Sequence, residues 1–162
     1  IEYSSLSCPH CASFSREALK KIKSEYVASG QVQFIHRDFP LNQPALAAGM
    51  FAICRAKGGS EKYYTLLKAL FKTQDSWAFD QQFIDKLQSI AQLDGMSSEE
   101  FKTCINDKTL TERILKARMT ASESLKIQST PTLFINGEKS QGYIDYASLK
   151  KIIDDKLAQT QK

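Results

Sequence analysis

Cys8-Pro9-His10-Cys11 is the stretch that decides how the rest of the chain is read. A short apolar segment, Ile1 to Leu6, leads into it, and a helical pattern follows. Cysteines separated by two residues can close a reversible disulfide, and the thiolate, not the thiol, attacks other disulfides. A free cysteine has a pKa near ~8.5, so little of it is ionised at neutral pH. A helix N-terminus offers unpaired N–H groups and a partial positive charge. Cys8 falls at such a point. Pro9 suits the first turn, where its missing N–H is no loss. Cys11 falls one turn further in, on the face the helix buries. That asymmetry makes Cys8 the sulfur that attacks and is attacked, and Cys11 the one that resolves. His10 lies between them, where its N–H or its charge can favour the thiolate; the alternative is an exposed bystander.

Outward from the motif, Cys11, Phe14, Ala18, Ile22 and Tyr26 recur at helical steps, and Gly30 supplies a C-terminal stop. Val32 to Phe39 reads as a strand ended by Pro40. Strand–helix–strand at this length predicts a parallel βαβ unit. Helical patterns follow without interruption by strands. Pro44 to Ala56 is Ala-rich, Gly58-Gly59 breaks it, and Glu61 to Lys72 carries Tyr63, Leu66, Leu67, Leu70 and Phe71 on one face. A helix through Phe83, Leu87 and Ala91 follows a cap at Asp80. Ser97-Ser98-Glu99-Glu100 is a capping-box pattern that opens a short helix. Leu110 to Leu125 marks a longer one. The pattern changes again at Thr132-Leu133-Phe134-Ile135, a strand, and Asn136-Gly137 is a strong hairpin signal. A returning strand near Ser140 to Ile144 and an amphipathic helix through Leu149, Ile152, Ile153 and Leu157 complete the chain.

The order β-α-β, helical insert, β-β-α, with a further strand lost or lying just before Ile1, is the thioredoxin arrangement. It predicts an α/β, thioredoxin-type fold. Residues 1–40 and 128–162 form the thioredoxin-like domain and residues 41–127 a helical subdomain inserted between the βαβ and ββα halves. The same topology carries Pro131 close to Cys8. The Thr130-Pro131 bond, read alone, would be trans; in this topology it is expected to be cis, presenting the backbone of Thr130 to an extended substrate strand. Glu2 is a carboxyl in an otherwise apolar strand behind the motif, which is costly unless used. Burial would raise its pKa and let it accept or return the proton of Cys11. The other reading of Glu2 is a residue at a frayed terminus.

Composition narrows the function classes. The chain has 162 residues, 42% hydrophobic and 25% charged, as expected of one soluble domain. A chain of this size buries roughly 70% of its unfolded surface, so it needs no disulfide merely to fold. The net charge is +4, with Lys and Arg spread along the sequence, which argues against nucleic-acid binding. The longest uncharged run, Phe39 to Cys54, is too broken to span a bilayer. The first residue is Ile1, so the chain reads as a processed or trimmed product whose signal or anchor has been removed. A Cys-x-x-Cys pair is also half of a zinc site. Cys54 and Cys104 have no partner close in sequence and His36 is the only other histidine, so no metal is expected. The aromatic residues Tyr63, Tyr64, Phe71, Trp77 and Phe79 are read as core.

Taken together, the Cys-Pro-His-Cys motif, Thr130-Pro131, Glu2 six residues before the first cysteine, and the insert within a thioredoxin order resemble the bacterial DsbA-like thiol:disulfide oxidoreductases. Arg37-Asp38-Phe39-Pro40-Leu41 and Thr130 to Gly137 resemble the branch common in alphaproteobacteria and Gram-positive bacteria. The resemblance implies an oxidase, without a cofactor of its own, that donates a Cys8–Cys11 disulfide to unfolded or newly exported proteins. It implies a monomer in the periplasm or another extracytoplasmic space, reoxidised by a quinone-linked, DsbB-like membrane oxidase. It also implies a second, structural disulfide between Cys54 and Cys104; the alternative is two inert buried thiols. Alternatives to the oxidase are a disulfide isomerase or reductase, or a non-enzymatic dithiol that holds metal or peptide.

Overall fold

The computed structural model describes residues 1–160. Four short strands form one sheet in the order β2-β1-β3-β4: β1 is Glu2–Ser4, β2 His36–Asp38, β3 Thr132–Ile135 and β4 Glu138–Gln141. β1 and β2 run parallel, with Glu2 beside His36 and Ser4 beside Asp38. β3 lies antiparallel to β1, pairing Leu133 with Glu2 and Thr132 with Tyr3. This is the thioredoxin order the sequence predicts.

Helix α1, residues 9–27, makes the crossover from β1 to β2. Its α-helical pieces, Pro9–Phe14 and Lys20–Ile22, alternate with wider π-helical turns at Ser15–Leu19 and Lys23–Val27. The buried residues Phe14, Ala18, Leu19, Ile22 and Tyr26 pack with Leu133 of the sheet and with Leu149 and Ile153 of the last helix, α7 (Tyr146–Thr160). Full burial of one such large apolar side chain is worth about 1.5–3 kcal/mol.

Between β2 and β3 lie α2 (Gln43–Arg55), α3 (Ser60–Lys72), α4 (Phe83–Leu93), α5 (Ser98–Ile105) and α6 (Lys108–Ser124). Their starts follow from local chemistry. Asn42 caps α2 by accepting from the N–H of Ala45, and Asp107 caps α6 by accepting from Leu110. Ser97 and Glu100 close a reciprocal capping box at α5. The main core of the insert is continuous with the active site: Phe51, Leu66, Leu70, Trp77, Leu87 and Phe101 share one buried cluster with Leu6, Cys8, Cys11 and Ala12, while Met50, Cys104, Leu110 and Ile114 form a smaller cluster within the insert. Phe51 and Phe101 meet edge to face at 5.5 Å.

Several local expectations are corrected. The ladder of β2 covers His36–Asp38, paired with Glu2–Ser4; before it, Ile35 accepts from the N–H of Glu2 but Val32 to Ile35 form no strand. The returning strand starts at Glu138 instead of Ser140. The two-residue turn, with Asn136 and Gly137 both at positive φ, sets Glu138 directly opposite Ile135. Helix α4 starts at Phe83, and Asp80 accepts instead from the N–H of Gln82 in the preceding turn. Phe79 is not core: it is 62% exposed, whereas the neighbouring Trp77 is fully buried.

Cys54 of α2 and Cys104 of α5 are joined as a disulfide across 50 positions. Closing a loop of this length removes chain entropy from the unfolded state, worth about 4 kcal/mol before any native-state cost. The double substitution Cys54→Ala, Cys104→Ala should therefore leave the far-ultraviolet circular dichroism unchanged and lower the urea midpoint. An unchanged midpoint would show that the bond contributes no net stability.

Candidate active site

Cys8 occupies the N-cap of α1 with extended backbone angles, φ −87° and ψ 119°. No side chain caps this helix, so the free N–H groups of its first turn face the cysteine instead. The Cys8 pKa is held down to about 5. The Cys11 thiol contributes most, against the opposing effect of burial, with the Thr130 hydroxyl and the N–H groups of Cys11 and His10 adding to it. Cys8 is 6% exposed and Cys11 fully buried. Burial, followed by the hydrogen bond to Cys8 and the charge on it, drives the Cys11 thiol far above its ordinary range. Both are free thiols. The pair is therefore polarised: one sulfur ionised at neutral pH, the other a donor to it.

The side chain of His10 is solvent-facing, and the group it directs at Cys8 is its backbone N–H. Pro9 has no N–H to offer and starts the helix. Thr130 and Pro131 come from the far end of the chain, joined by a cis peptide bond. The Thr130 carbonyl lies 3.4 Å from Cys8 Sγ and accepts from it when the thiol is protonated. Both residues are buried beside the motif.

Glu2 is 1% exposed, and neither carboxyl oxygen has a well-formed hydrogen bond to a protein group. Burial pushes its pKa up to about 8, against the Ser4 hydroxyl and the positive charges of Lys23 and the N-terminal amine; the Cys8 charge adds to the rise. The frayed-terminus reading of Glu2 does not describe this position. The Ile1 amine donates to Phe134 and the Ile1 carbonyl accepts from it, which ties the strand down.

One contributor from the insert escaped the sequence. Gln74, buried between α3 and α4, donates from Nε2 to the carbonyls of Leu6 at 2.8 Å and Cys8 at 3.0 Å. It satisfies two acceptors in the turn that carries the motif. Nothing in its local sequence distinguishes it from a surface glutamine. His36, noted only as a histidine without cysteine neighbours, is buried and bonded on both ring nitrogens, to Ser4 Oγ and to the Tyr63 hydroxyl, each at 2.8 Å. Among the described residues no group of three or more His, Cys, Asp or Glu side chains is placed to hold a metal. Cys54 and Cys104 are bonded to each other in the insert and stand apart from the dithiol.

A thioredoxin sheet that sets one low-pKa cysteine at a helix N-terminus, with a shielded partner one turn on, defines a redox-dithiol class of protein. Comparison with known proteins agrees. The thioredoxin family model matches residues 1–155. An inferred protein-disulfide oxidoreductase of Rickettsia typhi is 29% identical over 88% of this chain and 52% of its own length. The crystal structure of Wolbachia pipientis alpha-DsbA1 superposes with a TM-score of 0.88 at 32% identity, covering 99% of this chain and 87% of that one. The oxidised crystal structure of BdbD from Bacillus subtilis shares the fold, with a TM-score of 0.84 at 20% identity over 97% of this chain and 85% of that one. The chain belongs to the DsbA-like protein-disulfide oxidoreductase family of the thioredoxin class. It spans 51–61% of the length of the Rickettsia relatives it matches.

The raised pKa of Glu2 has a stability consequence. The folded protein keeps a proton that the unfolded chain releases as pH climbs from the ordinary carboxyl value of 4.5 toward about 8. Stability therefore falls across that window. Replacing the carboxyl in Glu2→Leu should remove the slope: the variant's advantage over the parent, near zero in acid, reaches about 3 kcal/mol by neutral pH. Urea unfolding at a series of pH values reads this directly, and a gap independent of pH would show that Glu2 is not held protonated.

Proposed function

We propose that this chain is a thiol:disulfide oxidase that hands its Cys8–Cys11 disulfide to newly exported or unfolded proteins. The observation that carries the reading is the opposite displacement of the two cysteine pKa values, Cys8 down to about 5 and Cys11 upward. A stabilised Cys8 thiolate stabilises the reduced protein and so makes the disulfide a stronger oxidant. It also makes Cys8 a good leaving group. The likeness to alpha-DsbA1 of Wolbachia supports a DsbA-like disulfide chemistry.

A substrate thiolate attacks Cys8 Sγ of the disulfide. A bond forms between the substrate sulfur and Cys8, and the Cys8–Cys11 bond breaks with its electron pair on Cys11. Cys11, buried and unable to stay charged, takes a proton from Glu2. The substrate's second thiolate then attacks the substrate sulfur of the mixed disulfide, and Cys8 leaves as a thiolate. The substrate has lost two electrons and the protein has gained them. Reoxidation reverses the protein's part: Glu2 first releases its own proton toward solvent, then its carboxylate takes the proton of Cys11, which attacks a mixed disulfide formed at Cys8. The electrons leave to a quinone-linked, DsbB-like membrane oxidase. The Thr130 backbone, beside Cys8 Sγ, offers main-chain groups to an extended substrate segment, and Pro131 holds that loop over the sulfur.

This reading puts the chain in the periplasm or another extracytoplasmic space, acting as a monomer with no cofactor of its own. Among the described residues no helix is long and apolar enough to cross a membrane.

Equilibration with glutathione buffers should give a potential clearly more oxidising than the roughly −270 mV of thioredoxin. Alkylation of reduced protein should modify Cys8 alone, with a midpoint near pH 5. Cys11→Ala should accumulate the mixed disulfide. A thioredoxin-like potential would turn the assignment toward a reductase.

A further inference from the structure

Glu2 must regain or lose a proton each time Cys11 does, yet its carboxyl is shielded from solvent. The register of the parallel pair shows where that proton can go. Glu2 and Ser4 lie on one face of β1, and directly beside them His36 and Asp38 lie on the same face of β2. Ser4 Oγ is 2.8 Å from His36 Nε2, and His36 Nδ1 is 2.8 Å from the hydroxyl of Tyr63, which comes down from α3. The Tyr63 hydroxyl in turn stands against the Asp38 carboxylate. A Cβ on Gly49 of α2 would sit 3.0 Å from Asp38 Oδ1, so a side chain there would press on the carboxylate. Asp38 keeps a partly exposed surface.

We propose that Ser4, His36, Tyr63 and Asp38 form a proton relay that connects the buried Glu2 to the surface on the β2 side of the sheet. The inference rests on Glu2 being the proton donor and acceptor of Cys11. Every group in the line can donate and accept at once, which proton hopping requires. After Glu2 has given its proton to Cys11, a proton on Asp38 passes to the Tyr63 oxygen while Tyr63 passes its own to His36 Nδ1. His36 releases its Nε2 proton to Ser4, and Ser4 passes one to the Glu2 carboxylate. One proton has crossed, no charge rests on His36, and its tautomer has switched. Glu2 makes no fixed hydrogen bond, so its carboxyl is free to turn between Ser4 and the cysteine side.

The charges around the line suit this direction of use. Burial, with Lys23 and Arg37 assisting, holds His36 down to about 3, so it conducts as a neutral ring. Burial raises Asp38 to about 6, against the Tyr63 hydrogen bond. Tyr63 itself is pushed up by burial first, then by Asp38 and Tyr64 and finally Glu2, with Arg37 opposing. Glu2 faces Lys23, the N-terminal amine and Cys8. The ordering from Asp38 to Glu2 lets a proton from solution move inward at neutral pH. The alternative way out is poorer. Glu2 and His36 also border a cleft of about 670 Å³, but that cleft is flanked by Arg16, Lys20, Lys23, Lys68 and Lys72. Protonated Lys and Arg have no lone pair with which to accept a proton, and their field disfavours hydronium.

Tyr63→Phe deletes only the hydroxyl and Asp38→Asn only the ionisable end; both act on the cysteines solely through Glu2. Stopped-flow reoxidation of the reduced protein by oxidised glutathione, followed across pH in H2O and D2O, is the measurement, with Glu2→Gln as reference. Both relay variants should slow the Cys11-dependent step on the order of tenfold to a hundredfold. The Cys8 thiolate absorbance midpoint should not move. Added imidazole, small enough to enter the cleft over Glu2, should restore most of the rate in Tyr63→Phe but none in Glu2→Gln. Parent-like rates in both relay variants beside a slow Glu2→Gln would overturn the relay and leave Glu2 in its role. A Glu2→Gln variant as fast as the parent would remove the Glu2 reading itself. Slow relay variants that imidazole fails to rescue, with an unchanged pH profile and isotope effect, would mark a purely structural network and also overturn the proposal.

Discussion

The interaction on which the molecule depends is the one between the Cys8 sulfur and the open end of α1. Hydrogen-bond donors converge there on a group that ordinarily loses its proton only above neutral pH. Lowering a thiol from about 8.5 to about 5 is worth about 5 kcal/mol, or roughly 100 mV for a two-electron couple. That amount is comparable with the whole stability of many domains. It cannot be supplied by one contact. The Cys11 thiol, the Thr130 hydroxyl and two backbone N–H groups share it. Each is contributed by a different constraint: helix geometry, motif spacing, and the approach of the loop before β3.

A single stabilised charge sets the state of its neighbours. Once Cys8 is ionised, a second negative charge nearby in a low-dielectric interior is expensive. Cys11 and Glu2 are both displaced toward their protonated forms, burial acting first on each and the Cys8 charge adding to it. The site thus holds one charge and two protons in the reduced state. Moving that charge to Cys11 during turnover requires moving a proton, which is why a buried carboxyl with no fixed partner is useful behind a dithiol. An apolar residue at position 2 would be more comfortable for the fold and would give the site nowhere to put the proton.

The sequence exposed what is local. The helix start at Pro9, the capping box at Ser97 and Glu100, the Asn136-Gly137 turn and the dithiol asymmetry each depend on residues a few positions apart. The order of strand and helix patterns was enough for the sheet. What stayed hidden depends on distant pairing. Val32, Phe34 and Ile35 have strand-forming side chains, but only His36–Asp38 of that stretch pairs with β1. The returning strand reads as starting near Ser140, yet the hairpin turn starts it at Glu138 and makes Glu138–Gln141 an exposed, charged edge strand. Gln74 and Tyr63 acquire their contacts only when the insert docks on β1 and β2; no periodicity marks Gln74, and for Tyr63 it marks a core ring and not the hydroxyl bonded to His36.

That docking changes what the insert is. As a sequence it looks detachable, a run of helices between two halves of a smaller fold. In the structure its core runs without a boundary into Leu6, Cys8, Cys11 and Ala12. Gln74 satisfies the carbonyls on either side of the turn leading into the motif. The Cys8 carbonyl also accepts from the N–H of Ala12, but a Leu6 carbonyl left without its donor would cost about 1–3 kcal/mol, so the helices above help the turn hold its shape. The two halves of the thioredoxin sheet place the sulfur, and the insert fixes the backbone from which it projects. Changes confined to the insert can therefore alter the poise of the dithiol without touching either cysteine.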